Sequence, residues 1–166
     1  MAYTKVPDDL LLGTGKLEFA GNDLGYFEGA TLSITREELE HLSGWPRRPD
    51  ATVITAQSAT FSATLHEFNW ANLEAALGVA SSDGKITFGN LSAVTDATLE
   101  LWIPKKDAQD GSLVIHLYKA QISQGFDISF SDTEWQGLPV SFKALADPSN
   151  SYALGYVLLT TTTCVA

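Results

Sequence analysis

Three histidines, one cysteine and a scatter of carboxylates are the side chains of this sequence best suited to catalysis or metal binding. His41, His66 and His116 stand far apart with no His-x-x-x-His pair, and Cys164 has no second cysteine with which to form a Cys-x-x-Cys. A metal site assembled from local spacing is therefore not expected. His116 lies among alternating apolar residues and His66 just ahead of a helical stretch, places that suit positioning better than ligation. Paired carboxylates could cleave a glycosidic bond if two of them faced each other about 5 to 10 Å apart across a cleft. Asp132 and Glu134 are the best local pair, but Ser131-Asp132-Thr133-Glu134-Trp135-Gln136-Gly137 reads as a solvated turn. Glu37, Glu38 and Glu40 read likewise as a solvated face. The Gly-x-Ser-x-Gly elbow, the phosphate loop and the dinucleotide fingerprint are all missing, and Gly13-Thr14-Gly15 is a hinge without the third glycine. No catalytic residue, metal or cofactor is expected.

Recognition chemistry is better represented. Trp45-Pro46-Arg47-Arg48-Pro49 joins an aromatic anchor, two planar guanidinium groups and prolines that limit the chain's entropy loss on docking. A basic tip on an acidic chain points to self-association, head to tail, onto acidic surface. Trp102 and Trp135 fit either lids on the core or stacking platforms.

Composition narrows the partners. The 166 residues carry 20 Asp plus Glu against 10 Lys plus Arg, a formal charge of -10, and 45% of them are apolar. Tight nucleic-acid binding is disfavoured, because its affinity comes mainly from basic groups that neutralise phosphates. A chain of this length buries a sufficient core without disulfides. Residues 1–9 lack a basic and apolar leader, and no window approaches the ~18 uninterrupted apolar residues of a membrane span. One soluble domain over residues 1–166, with no membrane partner and no secretion, is expected.

The elements that must position these residues are mostly strands. Residues 1–15 read as an extended arm with an apolar triplet, Leu10-Leu11-Leu12. Beyond it, period-two alternation dominates: Leu17 and Phe19; Ala30, Leu32 and Ile34; Val53 and Ala59 to Leu65; Ala97 to Ile103; Leu113 to Leu117; Phe126 to Phe130; Leu138 to Ala144; and a last apolar run over 152–159. Two prolines mark 37–50 as a long inter-strand loop. One helix is predicted over 67–77, its Trp70, Leu73 and Leu77 stripe packed on a sheet and Gly78 closing it. The expected class is mainly β: an antiparallel β-sandwich or barrel with one short α-helix and a long projecting loop.

In that order, the features resemble the tail tube (major tail) proteins of long-tailed bacteriophages. The resemblance is carried by Leu12-Gly13-Thr14-Gly15-Lys16-Leu17-Glu18-Phe19 after a short arm; by Gly25-Tyr26-Phe27-Glu28-Gly29-Ala30-Thr31-Leu32-Ser33-Ile34; by the long loop and single helix; and by the closing Ile115-His116-Leu117-Tyr118-Lys119-Ala120 and Trp135-Gln136-Gly137-Leu138-Pro139-Val140-Ser141-Phe142-Lys143-Ala144-Leu145-Ala146-Asp147. It implies a virion structural protein without cofactor or catalysis, made in the bacterial host cytoplasm and assembled with itself and other tail proteins. Hexameric rings would stack into the tube through which DNA is ejected, touching it only transiently and non-specifically. In that setting Leu10, Leu11, Leu12, Glu37, Glu38, Trp45, Arg47 and Arg48 are the candidate inter-ring and subunit contacts, and Asp96, Glu100 and Asp127 the candidate acids of the lumen. Two other readings fit less of the sequence: a single-ring tail component of the same fold (distal tail, terminator or baseplate protein), and a monomeric carbohydrate-binding sandwich using Trp102 and Trp135.

Overall fold

The computed structural model describes residues 15–67, 69–79, 85–86, 96–104, 111–123 and 137–160. Their chain order is β1 (Lys16–Phe19), β2 (Asn22–Asp23), β3 (Phe27–Ser43), β4 (Arg48–Leu65), α1 (Trp70–Leu77), β5 (Asp96–Pro104), β6 (Ser112–Ile122), β7 (Leu138–Ala144), a 3-10 turn (Pro148–Asn150) and β8 (Gly155–Thr160). All strand pairings are antiparallel. The sheet runs β2-β1-β5-β6-β7-β4-β3, with β8 joined to β6. This is the mainly-β class that the alternation predicts. The strand expected over 126–130 lies outside the described residues.

Alternation sets which face is buried. Leu17, Phe19, Phe61, Leu65, Leu99, Leu101, Leu138 and Phe142 all lie on one face of their strands and form the core. The sheet curls far enough for that face to close on itself, so that Phe19 on β1 packs against Phe142 on β7 at a centroid distance of 4.7 Å, the rings tilted by 36°. Phe142 is also the register partner of Phe61, and both are fully buried. At about 25 cal/mol per Å² of apolar surface, each such ring contributes roughly 2 to 3 kcal/mol of transfer free energy.

β6 is the branch point. One of its edges pairs with β5, and the other is divided between β8 over Ser112 to Leu117 and β7 over Ala120 to Ile122. At the fork, Tyr118 N–H donates to Leu154 O and Leu145 N–H donates to Lys119 O. Gly155 is required there, since a Cβ would lie 2.2 Å from the His116 carbonyl oxygen.

The helix departs from its expected form in two ways. It begins at Trp70 rather than at 67, because Asn69 caps it by accepting the Asn72 N–H. Its buried side is Asn72, Ala75 and Ala76, whereas Trp70 is half exposed. Of the predicted stripe, Leu73 packs against the core as expected. Gly78 closes the helix in the left-handed region as predicted.

The segment 37–50 is not a loop. β3 and β4 stay paired from Phe27↔Leu65 to Ser43↔Arg48, leaving only residues 44–47 as a turn around a cis Trp45–Pro46 bond. The prolines do not prevent this: Pro46 sits in the turn, and Pro49 faces Leu42 beside a bulge in a two-stranded arm, where each strand has an edge that needs no N–H.

Candidate assembly surfaces

The hairpin leaves the body as an arm. Every residue from 33 to 58 is exposed, so its outer ~11 rungs extend about 35 Å beyond the core at ~3.3 Å per residue. A two-stranded ribbon alone is marginal in water, and this one shows apolar side chains on both faces. Leu39 and Val53 are cross-strand partners on one face; Ile34, Ile54 and Leu42 lie on the other, all about half exposed or more. Apolar surface on both sides of a thin ribbon is what a segment covered in an assembly shows.

The three arginines of the sequence, Arg36, Arg47 and Arg48, all lie on this arm. None forms a salt bridge among the described residues. Trp45, 95% exposed, stands at the tip beside two of them. Glu37 and Glu38 lie halfway along the arm at a bulge in the β3–β4 register. Behind the turn, His41 Nδ1 lies 2.7 Å from Asp50 Oδ1. The Ser43 hydroxyl and then the imidazole, both donating to Asp50, hold its carboxyl below the usual range.

At the opposite end of the hairpin is a second cluster, which spacing alone does not disclose. Gly25 takes a φ of +73° and leaves room for the Glu67 carboxylate, which a Cβ would meet at 2.3 Å. Glu67 Oε1 accepts the Tyr26 N–H at 3.2 Å, and His66 N–H donates to Tyr26 O. The Tyr26 ring, 56% exposed, lies 5.4 Å from the His66 ring, whose Nε2 is 3.1 Å from Glu28 Oε2. Asn72, fully buried, fixes the underside by donating to Leu24 O and Glu67 O. His66 thus lies within hydrogen-bond distance of a carboxylate.

The outer face of β5, β6 and β8 carries Asp96 and Glu100, two of the three acids expected to line a lumen. Asp96 receives Lys119 Nζ at 2.8 Å. Glu100 lies 2.8 Å from His116 Nδ1 and accepts the Trp102 indole N–H at 3.2 Å. The His116 ring stacks on Tyr156 at 4.9 Å. Trp102 is half-buried in this network, and Trp135 lies outside the described residues. β8, within the apolar run over 152–159, shows Tyr156, Val157, Leu158 and Leu159 to solvent. Between β8 and the root of the arm opens an apolar cleft of about 170 Å³, with Leu32, Ile34 and Ala59 facing Leu117, Tyr156 and Val157.

Of the candidate contacts, the fold gathers Glu37, Glu38, Trp45, Arg47 and Arg48 on one arm and puts Asp96 and Glu100 on one face of β5. Leu10, Leu11, Leu12, Asp127, Asp132 and Glu134 lie outside the described residues. Among the described residues no three His, Cys, Asp or Glu side chains cluster as metal ligands. The chain matches the family described as "Phage tail tube protein" over residues 7–163. No curated protein matches it.

Proposed function

The chain belongs to the phage tail tube protein family, a structural component of the virion tail, and from that premise we propose that it forms hexameric rings stacked into the hollow tube that conducts DNA at ejection. The observation that carries this reading is the outer part of the β3–β4 hairpin, residues 33–58, which is exposed throughout, keeps apolar side chains on both faces and bears three arginines that form no salt bridge among the described residues. Neighbouring copies supply the cover that the monomer lacks. Open strand edges point the same way, because lateral joining of sheets removes edges that would otherwise aggregate.

Six chains of charge -10 amount to about -60 per ring. Duplex DNA within a Debye length of ~8 Å of such a wall is repelled rather than held, so it slides. We place Asp96 and Glu100 on the lumen side, with Asp127 as the third acid. Leu10, Leu11 and Leu12 are the apolar part of an N-terminal arm that joins the arm tip in bridging rings. The protein collects in the host cytoplasm before assembly with other tail proteins.

Negative-stain electron microscopy of the purified protein across a concentration series, beside light-scattering mass, tests the reading. Hollow six-fold tubes or rings are expected. A monodisperse 17.9 kDa particle at every concentration, with or without purified tail initiator proteins, overturns it.

A further inference from the structure

An unlimited stack requires a heterologous contact, in which one end of the molecule fits a different end of the next. The hairpin has two such ends, roughly 55 Å apart for 17 residues at ~3.3 Å each. One carries Trp45, Arg47 and Arg48. Where on a second copy those groups dock follows from the partners its carboxylates already have. Glu18 and Asp23 share Lys16, Asp96 holds Lys119, and Glu100 is engaged by His116 and Trp102. Asp147 is taken up by Ser149 N–H and the Asn150 amide. Away from the arm, which itself carries Glu37, Glu38, Glu40 and Asp50, Glu28 and Glu67 have no lysine or arginine partner among the described residues; Glu28 meets His66, Glu67 accepts the Tyr26 N–H, and the exposed Tyr26 lies beside them at the root of the hairpin.

Building on the tail tube reading, we propose that the arm tip of one copy docks on the arm root of the next, Arg47 and Arg48 meeting Glu28 and Glu67 while Trp45 packs against Tyr26. The chemistry is complementary at each point. A guanidinium and a carboxylate form paired charge-assisted hydrogen bonds, and a guanidinium also stacks on an aromatic face. The receiving side is pre-set: the Tyr26–Glu67 and His66–Glu28 contacts fix both carboxylates before docking, so little side-chain entropy is lost. An isologous contact between two tips would close at a dimer, whereas a tip docking on the mid-arm acids Glu37 and Glu38 is the competing open-ended contact.

Disulfide trapping in the full chain separates these geometries. In a Cys164→Ser background, Glu28→Cys with Arg48→Cys under mild oxidation is expected to give a ladder of trimers and longer species, because the two sites lie too far apart to join within one chain. Each single-cysteine variant stops at dimers. A second test uses charge: Arg47→Glu with Arg48→Glu, and separately Glu28→Arg, should each raise the concentration needed for tubes about tenfold or more, and combining all three should recover assembly. If wild-type tubes form but the Glu28–Arg48 pair gives nothing beyond dimers, or Glu38→Cys with Arg48→Cys gives the ladder instead, the docking site is wrong and the tube reading stands. A ladder without tubes supports the contact and removes the tube. Neither ladder nor tubes removes both.

Discussion

Phe19 and Phe142 meet ring against ring at 4.7 Å although β5 and β6 separate their strands in the sheet. That contact marks where the curled sheet closes over its own core. Phe142→Ala should cost about 3 to 5 kcal/mol, as large aromatic truncations in a filled core do, read as a lower midpoint in denaturant unfolding. A loss under 1 kcal/mol would mean that the sheet does not close there.

The arm is separable from the body. Replacing residues 36–57 by Asn-Gly, so that Thr35 and Ser58 flank a two-residue turn, removes no buried residue. The shortened chain is expected to melt within a few degrees of the full one while failing to form tubes in electron micrographs.

Gly155 allows β8 to lie against β6, with the His116 carbonyl where a Cβ would be. Gly155→Ala should strain that pairing and cost about 1 to 3 kcal/mol. Faster amide hydrogen exchange over Gly155–Thr160 than over Leu138–Ala144 would locate the damage.

Asn72 and Asn69 hold the short helix by different means. Asn69→Ala removes a cap and should cost about 1 kcal/mol. Asn72→Ala leaves the Leu24 and Glu67 carbonyls without their donor and should cost about 1 to 3 kcal/mol. The second variant should also weaken assembly, since Glu67 loses its support.

The Asp50 carboxyl is held below its ordinary value. A depressed acid stabilises fully above the unfolded value of about 3.9, and this contribution disappears as pH falls through the lower folded value. Cross-strand nuclear Overhauser effects between His41 and Ala51 should therefore persist at pH 5 and weaken toward pH 3, and Asp50→Asn should remove that dependence. Because the group is exposed, the body's melting temperature should not follow.

Much of the fold was legible in local pattern. Alternation at Leu17 and Phe19, at Phe61 to Leu65 and at Leu138 to Phe142 marked the faces that are buried, because a strand's side chains alternate whatever it pairs with. The basic, aromatic stretch Trp45-Pro46-Arg47-Arg48 stood out in an acidic chain, and the structure places it at the turn of the β3–β4 hairpin. Pairing was not legible. Pro46 and Pro49 read as loop until the register placed one in a turn and the other at a bulge, where a missing N–H costs nothing. The apolar run from Tyr156 to Leu159 was visible as a strand, but not that β8 would join β6 and stay exposed, since hydrophobicity alone does not record which strands a run pairs with. Trp70 read as the helix's inner stripe until Asn72, Ala75 and Ala76 took that side. The grouping of Tyr26, Glu28, His66 and Glu67 depends on Phe27 pairing with Leu65, a contact across 38 residues that no local spacing records. The sequence by itself determined the class, the charge and the alternating parity of the core strands, all of which follow from the chemistry of neighbouring residues. Only the tertiary structure decided which residues share an end of the arm, because closing the sheet brings distant strands together.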